Sequence, residues 1–291
     1  MTGQPDSSCR FFDRLAPGPL IIAHRGFRAC FPENTLAAFG ASLGRCGMIE
    51  LDVRLSRDGV AVVVHDRLLT RISNAAQVAA GLGLTSLAVC DWRLDQLRRL
   101  DAGSWFLQAD PFGTLTDGIA DRGRLRTMLP QRIASLREVL AWAVFHRMPL
   151  NIELKDLENA RLNEQLATAV VREVARARAG ALVLLSSFNH SLLRFCRGLA
   201  PAIATAALQE GRHPSDLIDS LRSLGVCAYH PSDALADSAV IRAVRAAGLH
   251  VNVFTINDPV RQRQLFAAGT TGIFTDFPDN VSGTNPHPPD C

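Results

Sequence analysis

The histidines His24 and His65 each directly follow an apolar run, LIIA in one case and VAVVV in the other. A buried strand that ends abruptly in ionisable residues delivers those groups to a pocket rim. Imidazole is the side chain whose ordinary pKa lets it act as acid or base near neutral pH. Between them lie Glu50 and Asp52, two apart in MIELDV. In a strand both carboxylates share one face, while Ile49, Leu51 and Val53 take the other. Glu153 and Lys155 repeat that parity in NIELKD. Carboxylates crowded on an inward face resist burial unless something cationic sits among them. Three acids from neighbouring strands would form an all-oxygen donor set, which favours Mg2+ or Ca2+ over zinc. With Arg25 and Lys155 beside them, the constellation points to a phosphate ester whose charge is offset by a metal and basic groups.

Positioning these residues requires strands that end at one rim. Apolar, β-branched runs alternate with longer segments of helical periodicity, the pattern of βα units and a parallel sheet. Core strands are expected at Leu20–Ala23, Met48–Val53, Pro149–Leu154, Leu182–Ser187, Ile203–Ala207, Val226–Tyr229, His250–Thr255 and Gly272–Thr275. Helical segments between them centre on 35–43, 136–145, 160–178, 191–198, 215–224, 238–247 and 259–268. The fold class expected is α/β, a TIM (β/α)8 barrel, in which functional groups crowd the C-terminal strand ends. An open doubly wound sheet is the alternative; no GxGxxG follows the first strand, and polar groups follow many strands.

Two features interrupt the regular pattern. Val60–Val64 is expected to form a hairpin with the second core strand across Ser56-Arg57-Asp58-Gly59. The stretch 67–131 is too long for a loop and reads as an inserted segment above the barrel mouth. The expected division is an N-terminal segment 1–19, a barrel domain 20–279 and a disordered tail 280–291. Within the first segment residues 11–15 are expected to form a short helix plugging the barrel bottom, and no convincing eighth helix is expected after Asp276.

Composition narrows the partners. The chain has 291 residues, 47% of them hydrophobic, enough for a substantial core, and 31 basic against 28 acidic residues leave a net charge of +3. No basic block or aromatic-interleaved stripe suggests nucleic acid. The seven cysteines form no CxxC pair and no zinc spacing, consistent with thiols in a reducing compartment. No signal-like h-region or membrane-length apolar stretch is present, so no stable membrane insertion and a cytoplasmic location are expected. Every basic residue is arginine except Lys155, which marks that position, since a planar guanidinium does not replace a compact ammonium in a tight site.

HRG at 24–26, PENT at 32–35, ELDV at 50–53, DG at 58–59, HD at 65–66, LDAGSWF at 100–106, ELK at 153–155 and GIFTDFP at 272–278 occur in that order. As an ordered set they resemble the glycerophosphodiester phosphodiesterases, over about residues 20 to 279. The resemblance implies a TIM barrel that hydrolyses a small-molecule glycerophosphodiester to an alcohol and sn-glycerol 3-phosphate with one divalent cation. Carried over by motif, it implies Glu50, Asp52 and Glu153 as metal ligands, His24 and His65 as the acid/base pair, and Arg25 and Lys155 as phosphate contacts. In PENT, Pro32 and Asn34 are expected to start and cap a helix, with bracing of Arg25 by Glu33 the lesser reading.

The sequence departs from the family pattern in its seventh-strand motif, where Phe254 stands in VNVFTIND in place of tryptophan and keeps an apolar wall against substrate without an indole donor. IASLREVL at 133–140 and the stretch 72–92 also diverge. Rival readings are a lysophospholipase D-type phosphodiesterase and a non-catalytic phosphate-ester-binding barrel. No strongly amphipathic basic helix favours the first, and the intact set of acids and histidines disfavours the second. The leaving alcohol, the route of attack and the oligomeric state stay open.

Overall fold

A computed structural model describes residues 7–281. Its strands are β1 Leu20–Ala23, β2 Met48–Leu55, β3 Ala61–Val63, β4 Leu150–Leu154, β5 Val183–Ser187, β6 Ala204–Gln209, β7 Ala228–Pro231, β8 His250–Val253 and β9 Gly272–Thr275. All except β3 run parallel, and β1 pairs with both β9 and β2, so eight strands close into a barrel. The short β3 lies antiparallel on the C-terminal half of β2, with Val53 opposite Val63, which is the expected hairpin.

The apolar runs are continuous because each strand is buried on both faces. Outward residues such as Ile49, Leu51 and Val53 pack under helices, whereas Leu20, Ile22, Met48, Leu184 and Phe274 fill the interior. The alanines Ala204, Ala206 and Ala228 make room there for larger neighbours. The bottom is closed by a 3-10 helix, Ser7–Arg14, whose Phe11 and Phe12 join the interior cluster; Phe12 stacks on His250 at 3.9 Å. Phe11→Ala is expected to cost about 3–5 kcal/mol, as for other fully buried aromatics. The reading is a lower urea midpoint at unchanged slope; an unmoved midpoint would show that the plug does not belong to the barrel core.

In chain order the helices are α1 Leu36–Ala41, α2 Ala75–Leu82, α3 Leu94–Leu97, α4 Trp105–Ala109, α5 Arg122–Met128, α6 Leu136–His146, α7 Ala160–Arg176, α8 His190–Leu199, α9 Leu217–Leu224, α10 Ser238–Ala246 and α11 Pro259–Ala267. Side chains fix several starts: Ser135 and Glu138 form a capping box on α6, and Asn159, Asp237 and Asp258 cap α7, α10 and α11. Among the described residues only a 3-10 turn, Pro278–Val281, follows β9.

Helices α2 to α5 lie between β3 and α6, in the stretch 67–131, which is fastened down by two apolar clusters. One joins Val62 and Val64 to Leu69, Ile72, Trp92 and Leu97; the other joins Phe27 and Phe31 to Phe106, Leu115 and Leu125. Among the described residues no helix is long and apolar enough to cross a membrane. The tail expected to be disordered lies, from residue 282 on, outside the described residues.

Candidate active site

The chain turns sharply where β1 ends. Arg25 has φ 54° and Gly26 φ 82°. A Cβ on Gly26 would also come within 2.8 Å of the Ala38 backbone, so the third residue of HRG has to lack a side chain. The turn brings the Arg25 amide to Glu50 Oε2 at 2.9 Å and the Arg25 guanidinium Nε to Asp52 Oδ2 at 3.2 Å.

Strand register assembles the acids. Asp52 pairs with Glu153 and Glu50 with Asn151 across β2 and β4, so the three carboxylates share the inward face. Glu50, Asp52 and Glu153 each offer an oxygen within 4.8 Å of the others. Lys155 Nζ sits 3.1 Å from Asp52 Oδ1 and 2.6 Å from Glu153 Oε1, which accounts for a lone lysine in an arginine-rich chain. Asn34 donates to Asp52 Oδ2 at 2.8 Å.

These neighbours drive the carboxylates apart in acidity. Burial pushes Glu50 well above its usual range, and the Asp52 and Glu153 charges add to it. Glu153 is also raised, by burial and then by Asp52. Asp52 goes the other way: burial opposes ionisation, but Lys155 and Arg25 outweigh it and hold the group well below the usual carboxylate range. Lys155 is likewise raised, because Asp52 and Glu153 outweigh the effect of its burial. A floor of three buried carboxylates, two of them reluctant to ionise, fits a hard divalent cation bound through oxygen.

Two imidazoles face the same space, each with Nδ1 held by an acid. His24 Nδ1 lies 2.8 Å from Asp276 Oδ1, and His65 Nδ1 lies 2.6 Å from Asp66 Oδ1. Nε2 is thereby the nitrogen left for chemistry. Burial lowers His24, partly offset by Asp276. Asp276 is itself held low: burial opposes, but the His24 hydrogen bond, Arg28 and Asn257 prevail. The cavity, about 490 Å³, is lined by His24, Arg25, Glu50, His65, Glu153, Lys155 and Phe254 among others. Phe254 meets Phe188 edge to face at 5.7 Å, forming an apolar wall beside the charged floor. A larger groove of about 940 Å³ on the outer side, beside Arg57 and Arg172, contains no histidine.

The structure thus brings all eight sequence-selected residues, His24, Arg25, Glu50, Asp52, His65, Glu153, Lys155 and Phe254, to the same strand ends. It alters some companions. Thr35, not Asn34, caps α1, accepting from the Ala38 amide at 3.2 Å; Asn34 turns with φ 57° toward Asp52. Glu33 does brace Arg25, at 2.9 Å, and also accepts from Arg28 and Arg71. Tyr229, at the end of the sixth core strand, is buried outside the barrel with its hydroxyl 2.9 Å from His213 Nδ1. His230 is fully buried against Asn252 and Phe274 and does not line the cavity. Sequence reading gave no role to Asp66, which holds His65, or to the more distant Asp276, which holds His24. Asp276 follows Thr275, which pairs with Ala23, so closure of the barrel places it beside His24.

The profile of the glycerophosphoryl diester phosphodiesterase family matches residues 24–280. Among curated proteins, the chain is 32% identical to the uncharacterized protein YqiK of Bacillus subtilis strain 168, spanning 90% of this chain and 96% of that protein. It is 31% identical to a glycerophosphodiester phosphodiesterase of Bacillus altitudinis over the same shares. Among solved structures, an Oleispira antarctica phosphodiesterase in complex with the product sn-glycerol-3-phosphate is 29% identical. It superposes with a TM-score of 0.76 over 93% of this chain and 97% of that one. Barrel, strand-end chemistry and a match across nearly the whole length agree, and the chain belongs to the glycerophosphoryl diester phosphodiesterase family.

Proposed function

We propose that this enzyme hydrolyses small glycerophosphodiesters to an alcohol and sn-glycerol 3-phosphate. The observation that carries the reading is the placement of two imidazole–carboxylate pairs over a floor of three acids, in one cavity. Glu50, Asp52 and Glu153 would hold one divalent cation, Mg2+ or Ca2+, which when bound supplies Lewis-acid polarisation and charge neutralisation at the phosphoryl group.

The chain's own residues do the remainder. Arg25 and Lys155, fixed by Asp52, Glu33 and Glu153, orient the anionic diester above the floor. One imidazole accepts the proton of the attacking hydroxyl through Nε2 as its oxygen bonds to phosphorus. The other donates a proton to the alcohol oxygen as its bond to phosphorus breaks. The attacking hydroxyl is water or the substrate's own glycerol 2-hydroxyl; in the second case a cyclic phosphate forms first and water opens it. Phe254 and Phe188 shape the apolar side of the cavity.

Glycerophosphocholine, glycerophosphoethanolamine and lysophosphatidylcholine would be offered to the enzyme with chelator and with Mg2+ or Ca2+ restored. Glycerol 3-phosphate is expected from the first two, only with metal. Exclusive cleavage of lysophosphatidylcholine would support a lysophospholipase D instead. Binding without turnover of any of the three would support a phosphate-ester sensor.

A further inference from the structure

The two imidazole–carboxylate pairs are not independent of each other. Asp66, which holds His65, also accepts from Arg71 Nε at 2.7 Å. The other edge of the same guanidinium grips Glu33, with Nη2 2.6 Å from Oε1 and Nη1 3.0 Å from Oε2. Glu33 in turn accepts from Arg28 Nε at 3.0 Å, and Arg28 Nη1 donates to Asp276 Oδ1 at 3.3 Å. Asp276 holds His24, which completes a hydrogen-bonded belt from one imidazole to the other: His65, Asp66, Arg71, Glu33, Arg28, Asp276, His24.

Arg71 is the link that the inserted stretch contributes, and the sequence reading gave it no role. Its guanidinium lies over the Trp105 ring at 5.6 Å, and Trp105 Nε1 is anchored on Ala102 O at 3.1 Å. Glu33 is almost wholly buried, with its side chain 2% exposed. Burial alone would raise it; the Arg71 hydrogen bonds and the charges of Arg25 and Arg28 bring it down to about 2. A planar fork can hold two carboxylates along two edges at once, which a lysine ammonium cannot reproduce with the same geometry.

We propose that Arg71 is a positioning residue that fixes the orientation of both imidazoles at once, through Asp66 on one side and through Glu33, Arg28 and Asp276 on the other. The proposal rests on the diesterase reading above. Docking of the inserted stretch and assembly of the acid/base pair are then one event, with Arg71 and Trp105 at the joint. Arg71 touches neither the acidic floor nor Lys155, and although it shares Glu33 with Arg25, the Arg25 guanidinium keeps Asp52 Oδ2 at 3.2 Å, so the loss of Arg71 falls on proton transfer more than on the diester's anchors.

Kinetics on a diester that the wild type hydrolyses with Mg2+ or Ca2+ test this. Arg71→Met is expected to lower kcat about 10- to 100-fold, the range seen when outer hydrogen-bond partners of site ligands are removed, with KM changed less than threefold. Arg71→Lys is expected to recover only part of the loss. Arg67→Met, which removes an exposed pair with Glu158 at 3.2 Å, is expected to keep wild-type turnover. In an Asp66→Asn or Asp276→Asn background, Arg71→Met should cost less than it does alone, because each cuts the same belt. Should Arg71→Met fail to fold, Arg71→Lys, which keeps charge and stem, carries the comparison, and at least a fivefold loss of kcat is required. Wild-type kcat in the Arg71 variants, a loss confined to KM, or simple multiplication of the effects at Arg71 and Asp276 would overturn the proposal. A wild type inactive on every diester with either metal would remove the diesterase reading itself.

Discussion

His24→Ala and His65→Ala are each expected to lower kcat by about 10²- to 10⁴-fold, the contribution of a positioned general acid or base, while the thermal midpoint stays near that of the wild type. The fold should tolerate both changes because neither orphans its acid. Without His24, Asp276 keeps Asn257 Nδ2 at 2.8 Å and Arg28 Nη1 at 3.3 Å. Without His65, Asp66 keeps Arg71 at 2.7 Å. Truncation therefore removes an imidazole without leaving a buried carboxylate alone, the situation that usually makes such changes destructive. In the double variant the losses should fall well short of multiplying, since neither half of a proton-transfer pair is useful alone. Near wild-type turnover in either single variant would remove that histidine from the acid/base pair, and a collapse of the thermal midpoint would assign it to stability.

Most of the barrel was legible because its signals are local. A strand buried on both faces must be apolar throughout, so LIIA, MIELDV and GIFT announce themselves, and charged residues inside such runs stand out. The parity of Glu50 with Asp52, and of Glu153 with Lys155, is likewise settled within three residues. What could not be read is whatever depends on closure. The pairing of His24 with Asp276 spans 252 positions and exists because β9 returns to β1. Arg71 reaches Glu33 across 38 positions because the chain after β3 folds back against the turn that follows β1. Asn34 sits at a helix start and was expected as its cap by residue type; the positive φ that turns it toward Asp52 leaves no mark in composition. Register and close-range polar geometry therefore emerge only in the folded chain.

The same crowding that makes the acidic floor costly should make a divalent cation stabilise the fold, and more so as pH rises. In the metal-free protein Glu50 and Glu153 ionise above the ordinary glutamate value, whereas in the unfolded chain they ionise near about 4.3. As pH rises past that ordinary value, the unfolded chain loses these protons first and so binds fewer than the folded one. Stability contributed by the two groups then falls with pH until their folded values are passed. Asp52 works in the opposite direction, but its depressed value confines its effect to the acid side of the ordinary aspartate range, outside this window. A cation that binds the ionised floor competes with those protons, so at about pH 5 Mg2+ or Ca2+ should raise the thermal midpoint only slightly. At about pH 7.5, with metal at a hundred times its dissociation constant, linkage gives about 2.7 kcal/mol. For a domain of this size that is a rise of roughly 5–10 °C, at about 2–4 °C per kcal/mol. Glu50→Gln should reverse the pattern: an amide can still accept from the Arg25 amide, now at 2.9 Å from Oε2, yet adds no charge to the floor. The variant should melt higher than the metal-free wild type at pH 7.5, lose most of the metal-induced rise and lose turnover with it. A metal-induced rise of equal size at both pH values, or one that survives in both Glu50→Gln and Asp52→Asn, would place the cation elsewhere on the protein.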